Sequence, residues 1–195
     1  IEALSLAYPG ASGPTVVFEG LNLSVPPGQS VALVGPSGCG KTSILHALSG
    51  LLRPTSGAVR VGGRPVERPR RDIALILQDA GLLPWKTVWQ NAALGLTLAG
   101  EPSGHVTQQL TDLDIAELAQ RYPSELSGGQ RQRVGIARAL AGDARLLLMD
   151  EPLASLDAFT KEHIQGLFLE LWRARGQTQV LVTHDLLGLF DRFTP

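Results

Sequence analysis

The apolar positions change their pattern along the chain: short runs cut by turns, then a long stretch of helical spacing, then strand-like runs again. Glu2-Ala3-Leu4-Ser5-Leu6-Ala7 alternates, and Val16-Val17-Phe18 and Leu21-Asn22-Leu23-Ser24-Val25 follow between turn signals such as Pro9-Gly10, Glu19-Gly20 and Pro26-Pro27-Gly28. Runs this short predict antiparallel pairing. Ser30 to Val34 reads as a strand, and Ser43 to Leu48 as a helix with no breaker. Ala58-Val59-Arg60-Val61 is a further predicted strand, stopped by Gly62-Gly63. Arg64 to Arg71 is basic and proline-interrupted, an expected exposed connection. Asp72 to Leu77 is almost wholly apolar and reads as a strand buried on both faces, ending at Gln78.

From Pro84 to about Ala141 the spacing is helical, interrupted at 100–104 and at Tyr122-Pro123. Val88 to Leu94 and Val106 to Ala119 are the helical candidates, and Ser127 is an N-cap for another helix running to Ala141. Strand character returns at Ala144 to Met149, which ends in Asp150-Glu151-Pro152. A helix over Ala158 to Arg175 leads to a strand, Thr178 to Thr183, ending in His184-Asp185. The organisation expected is one domain over residues 1–195. Residues 1–77 and 142–195 would form an α/β core with a β-subdomain, and 78–141 an inserted helical subdomain.

Composition alters this picture little. Apolar residues make 44% of the chain, charged residues 18%, and the net charge is −1. That balance offers no basic face, so no nucleic-acid partner is expected. No window is long and apolar enough to span a bilayer, and the N-terminus carries no export signal. Cys39 is the only cysteine, which rules out an intrachain disulfide and suits a reducing compartment.

The chemistry starts at Gly35-Pro36-Ser37-Gly38-Cys39-Gly40-Lys41-Thr42, between the predicted strand and the helix that opens with Ser43. Glycines let successive N–H groups converge on an anion, and the helix start aims its dipole at the same point. Lys41 supplies a mobile ammonium, and the Thr42 hydroxyl can complete a Mg²⁺ shell. The stretch is a nucleoside triphosphate cradle. Cys39 within it is either a small space-filling residue or a redox-sensitive thiol. Asp150 and Glu151, at a strand end, suit a metal ligand and a proton acceptor, or alternatively serve a helix dipole. Leu126-Ser127-Gly128-Gly129-Gln130 is a second helix start fit for an anion, or a plain N-cap with a flexible first turn. One nucleotide needs one cradle, so a second invites a two-molecule arrangement. Tyr8, at a strand end, could stack on a base or pack on the sheet.

Taken together, these motifs resemble those of the nucleotide-binding subunits of ABC transporters, from about Tyr8 to Asp185. Gly35 to Thr42 resembles Walker A, Gln78 the Q-loop, Leu126 to Gln130 the signature, Leu146 to Glu151 Walker B, Ser155-Leu156-Asp157 the D-loop and His184 the H-loop. Gly81 to Trp85, Gln90 to Leu96 and Leu156 to Lys161 are similar to the nitrate/sulfonate/taurine importers, and Leu94 to Gly100 with Arg131 to Ala141 to their taurine branch.

The resemblance implies a P-loop NTPase core with a mainly parallel sheet, an N-terminal antiparallel β-subdomain and an inserted helical subdomain. It implies MgATP hydrolysis that drives a membrane importer for taurine or a related sulfonate. Tyr8, Gly35 to Ser43, Ser127 to Gln130 and Asp157 would bind nucleotide. Thr42, Gln78 and Asp150 would hold Mg²⁺, and Lys41, Gln78, Glu151 and His184 would carry catalysis. Ser127 and Gly129 would reach ATP held by a second copy, in a head-to-tail dimer. The partners implied are that copy, separate transmembrane permease subunits and, through the complex, a solute-binding receptor. The location implied is peripheral, on the cytoplasmic face of the inner membrane. Gly95 to Pro102 and the loop around Gln78 to Trp85 are expected to help form a groove for a membrane-subunit helix, the apolar Leu82 to Trp85 being the reason, with Trp85 alternatively anchoring the lobe's own core. After Asp185 the chain departs from the family into the apolar run Leu186 to Phe190 and stops at Pro195, and it begins inside its first strand. A truncated chain is therefore expected, the apolar run being a patch for aggregation or for a partner. The competing classes are a DNA-clamping ABC ATPase, a small-molecule P-loop kinase and a non-hydrolysing ATP-binding module. The first needs a coiled-coil insertion or DNA-contacting domains, and the second does not need Ser127 to Gln130.

Overall fold

Two β-strands, β1 (Glu2–Tyr8) and β2 (Thr15–Leu21), open the fold as an antiparallel pair. The computed structural model describes residues 1–10 and 13–183. Strand β3 (Ser30–Leu33) leads into helix α1 (Lys41–Ser49). Three short strands follow: β4 (Ser56–Ala58), β5 (Arg60–Val61) and β6 (Arg64–Pro65). After β7 (Ile73–Ile76) come helices α2 (Val88–Ala92), α3 (Leu94–Ala99), α4 (Val106–Asp112) and α5 (Gly128–Leu140). Strand β8 (Leu146–Asp150), helix α6 (Ala158–Arg175) and strand β9 (Thr178–Val182) complete the described order.

Strands β3, β9, β8 and β7 form a parallel sheet in that order, and β2, β1 and β4 an antiparallel one. This is the α/β architecture expected, with the antiparallel pairing at the N-terminus. The sheet's faces carry separate apolar clusters. Leu146, Leu148, Val180 and Val182 pack with Leu45 and Leu48 of α1 and with Leu4. Leu147, Met149 and Leu181 join the other cluster, which takes in Ile164 and Phe168 of α6 and the helices of 88–140. Strand β8 is buried at every residue, as a central parallel strand should be.

Several local readings need correction. Residues 22–25 form no strand: the Asn22 carboxamide oxygen takes one ladder position by accepting from Ala3 N–H at 2.8 Å, and only Ile1 and Leu23 beyond it exchange backbone bonds. The run Ala58 to Val61 divides between two sheets, because β4 pairs with β1 while β5 pairs with β6. Gly57 sets this division. At φ 80°, a Cβ there would lie 2.3 Å from Ala3 O, so only glycine lets β4 approach β1 so closely. Strand β7 is half-buried except at Ile76, since it is the last strand of the described sheet. The predicted helix 106–119 stops at Asp112, and Asp114 at φ 52° turns the chain into a short 3₁₀ turn at Ala116–Leu118.

The expected open connection 64–71 is also anchored. Arg70 lies flat on Asp72, donating Nε to Oδ1 at 2.9 Å and Nη2 to Oδ2. That fork holds the Asp72 carboxyl below the usual carboxylate range, with the Arg70 hydrogen bond as the largest cause. A depressed folded-state value stabilises the fold above the unfolded value of about 3.9 and is lost as pH falls through the lower one. Asp72→Asn is expected to lose about 1 kcal/mol at pH 7 and progressively less as acid carries the parent's carboxyl through its lowered value. Urea unfolding at pH 7 and in acid checks it, and an equal difference at both would remove the ion pair as the cause.

Candidate functional site

Register aligns the ends of the parallel strands. Leu33 pairs with Val182, Asp150 with Val182, and Ile76 with Met149. The loop after β3, the Asp150-Glu151 pair and Gln78 therefore leave the sheet along one edge, where open parallel sheets bind ligands.

The loop is built around glycine geometry. Gly40 has φ 95°, and a Cβ there would sit 2.5 Å from the Val17 side chain of β2, so the turn is pressed against the antiparallel sheet. Lys41 opens α1, is buried, and donates Nζ to Gly35 O and Pro36 O, both at 2.8 Å. Thr42 and Ser43 follow it on the first turn, Thr42 exposed and Ser43 half-buried. Pro36, Ser37, Gly38 and Cys39 are exposed. A Cβ on Gly35 would meet Cys39 Sγ at 2.9 Å, so the thiol fills the space over that glycine. Tyr8 ends β1, 42% exposed, with its hydroxyl 3.3 Å from Ser43 Oγ. Its ring thus flanks the helix that carries Lys41, a position suited to stacking on a flat ring held above the loop.

Asp150 is 4% exposed at the end of β8. Glu151 adopts φ 45°, unusual for a residue with a side chain, and its N–H donates to Val182 O at 3.0 Å. Glu151 is half-buried where Asp150 is buried. Gln78 is exposed just past β7. His184 lies outside the described residues, as does the run Leu186 to Phe190.

Ser127 caps α5 through reciprocal bonds: its Oγ accepts from Gln130 N at 3.2 Å, and Gln130 Oε1 accepts from Ser127 N at 2.8 Å. The plain N-cap reading is thus true, and it still leaves Gly128 exposed at a helix start. A Cβ on Gly129 would touch Leu156 and Ser155 O at 3.4 Å, so this turn adjoins the loop 155–157. Asp157 opens α6, accepting from Thr160 N at 3.0 Å and Thr160 Oγ at 2.7 Å. These bonds hold its carboxyl below the usual range, the Thr160 N–H contributing most.

The sequence pattern of the ABC transporter family matches residues 18–154. The chain belongs to the ABC transporter family. It is 47% identical over 189 residues to the taurine import ATP-binding protein TauB of Chromobacterium violaceum, covering 95% of this chain and 72% of that relative. It is also 47% identical over 174 residues to the aliphatic sulfonates import ATP-binding protein SsuB of Pseudomonas putida, covering 89% and 64%. Among solved structures, the ATP-binding cassette MJ0796, described as a dimer in a post-hydrolysis state bound to ADP and Pi, superposes with a TM-score of 0.89. That match has 31% identity and covers 96% of this chain and 88% of the other.

This ABC transporter chain also has polar residues around Gln78 that the motif reading missed. Asn91 is fully buried. Its Oδ1 accepts from Leu83 N at 2.8 Å, and its Nδ2 donates to Leu83 O at 3.1 Å and Lys86 O at 2.9 Å. Asn91 thereby fixes the loop that presents Trp85, which is 70% exposed. The alternative in which Trp85 anchors the lobe's core is overturned. The signal in the sequence was an amide, Asn91 beside Gln90, within the otherwise apolar helical stretch Val88 to Leu94. The groove expected near Gly95 to Pro102 exists, about 590 Å³, between Gly95, Leu96, Ala99 and Glu101 on one side and Ile73 to Leu75 on the other. Its second wall is β7 rather than the loop 78–85.

Proposed function

We propose that the chain is the ATP-hydrolysing subunit of a membrane importer for taurine or a related sulfonate. The observation that carries this is the strand register, which sends the Lys41 loop, Asp150-Glu151 and Gln78 to one sheet edge. The names of the relatives supply the solute class. Residues 78–141 are taken as the helical subdomain and the remainder as the core with its β-subdomain.

In this reading Tyr8 stacks on adenine, and the N–H groups of 35–43 with the Lys41 ammonium hold the phosphates. Glu151 accepts a proton from the attacking water as its oxygen bonds to the γ-phosphorus and the bond to the bridging oxygen breaks. The products are ADP and inorganic phosphate. His184 would orient the γ-phosphate and that water. Among the described residues no cluster of three or more His, Cys, Asp or Glu side chains could hold a metal. An ion bound through one carboxylate, a hydroxyl and substrate phosphates suits such a site, which is how Mg²⁺ is usually held. Thr42, Asp150 and Gln78 would hold it, and it would neutralise phosphate charge. Ser127, Gly128, Gly129 and Gln130, with Asp157, would meet the nucleotide of a second copy head to tail.

No described helix is long and apolar enough to cross a membrane. In this reading the path for solute belongs to separate permease subunits, with a solute receptor joining through them and this chain peripheral on the cytoplasmic face. The groove beside Ala99 is where a short permease helix would dock. Complexes co-purified with those subunits and placed in vesicles should take up taurine only with MgATP and receptor. In them, Ala99→Cys should crosslink to the permease. Uptake indifferent to ATP would overturn the function, and crosslinks confined to the opposite face would overturn the groove.

A further inference from the structure

Gln78 is held from both sides by one helix. On the near side, Gln132 of α5, 2% exposed, donates Nε2 to Leu77 O at 3.1 Å. On the far side, Arg138 of α5 donates Nη1 to Gly81 O at 2.8 Å and Nη2 to Ala80 O. Burial pushes the half-buried Arg138 guanidinium down from its ordinary value, while Asp79 pulls it up, so a partly desolvated cation is held on backbone carbonyls. Between the two donors, Gly135 lets the loop come close: a Cβ there would meet Ala80 Cβ at 3.0 Å and Ala80 Cα at 3.2 Å. Ala80, 1% exposed, and Gly81 both take positive φ, 60° and 51°. Gly81 takes that region freely, whereas Ala80 persists there only where its surroundings impose it. Gln132, Gly135 and Arg138 lie three residues apart, on one helical face.

We propose that Gln132 and Arg138 are positioning residues that fix the Gln78 turn to α5 and so aim the Gln78 side chain. This rests on the reading of Gln78 as part of the nucleotide site. The bonds to Leu77, Ala80 and Gly81 hold the backbone on either side of Gln78 and Asp79, which is enough to aim one side chain.

The test uses the full chain and the variants Arg138→Met, Arg138→Lys and Gln132→Met, the last keeping shape while removing one donor. Hydrogen exchange comes first, without nucleotide. Amides of 79–81 should exchange at least about tenfold faster in Arg138→Met, with those of 134–140 unchanged. Turnover should then fall about ten- to a hundredfold at saturating ATP, the scale of a small misplacement, while monomer ATP affinity stays within about twofold. Arg138→Lys should recover part of the turnover by reaching one carbonyl, and Gln132→Met should show the same split as Arg138→Met with a smaller loss. Unchanged exchange at 79–81, a matching loss of ATP affinity, or a lysine variant no better than methionine would each overturn the clamp. A parent chain that binds no ATP would overturn the proposed function instead, and the exchange result would still decide the clamp.

Discussion

Glu151→Gln is expected to lower ATP turnover by about a hundredfold or more while leaving ATP binding intact, the scale of a lost general base. The geometry makes this a clean substitution. Glu151 is aimed by its backbone, at φ 45° with its N–H on Val182 O, and glutamine can keep that bond. What changes is the ability to accept a proton from water. The Lys41 loop, which would hold the phosphates, is untouched. Removing one negative charge beside the γ-phosphate should also favour the ATP-bound closed pair, so a dimer should appear on size exclusion with MgATP. Phosphate release within about threefold of the parent would remove Glu151 from the role of base.

The second large effect separates the two helix starts. Lys41→Ala takes away a buried cation whose amine lies over Gly35 and Pro36, and ATP affinity should fall about a hundredfold or more. Ser127→Arg adds a bulky cation to an exposed turn that adjoins the loop 155–157. It should block closure and hydrolysis between two copies. Mixing the two variants makes a heterodimer in which one site pairs the intact loop of the Ser127 variant with the intact signature of the Lys41 variant. Return of phosphate release on mixing supports a composite site built by two chains. Silence on mixing would mean that both sites must be filled.

Features whose physics is local were readable in the sequence. The loop 35–42 sits between a strand and a helix because glycines, a helix start and an apolar run lie side by side in the chain. Strand β8 and helix α6 declared themselves through an unbroken apolar run and an unbroken helical spacing, and Ser127 through its cap. Features that depend on distant contacts were not readable. Nothing beside Ala58 to Val61 says that Gly57 will press on Ala3, and nothing near Asn22 says that its side chain will replace a ladder bond. Arg70 is different: its partner Asp72 is only two positions on, but nothing in the basic run shows that the chain folds the two side chains together. Gln132 and Arg138 were noticed only as members of a helix, since their carbonyl partners lie 55 to 58 positions away in sequence. Buried polar residues that serve backbone have no motif.

The central claim is that ATP is held by the Lys41 loop of one chain and completed by the Ser127 turn of another. Its most direct test is the affinity for MgATP of dilute monomer, measured for the parent, Lys41→Ala and Ser127→Arg. The account requires Lys41→Ala to lose about a hundredfold in affinity and Ser127→Arg to stay within about twofold of the parent. A large loss in the Ser127→Arg monomer would place the signature on its own chain's nucleotide and contradict the account.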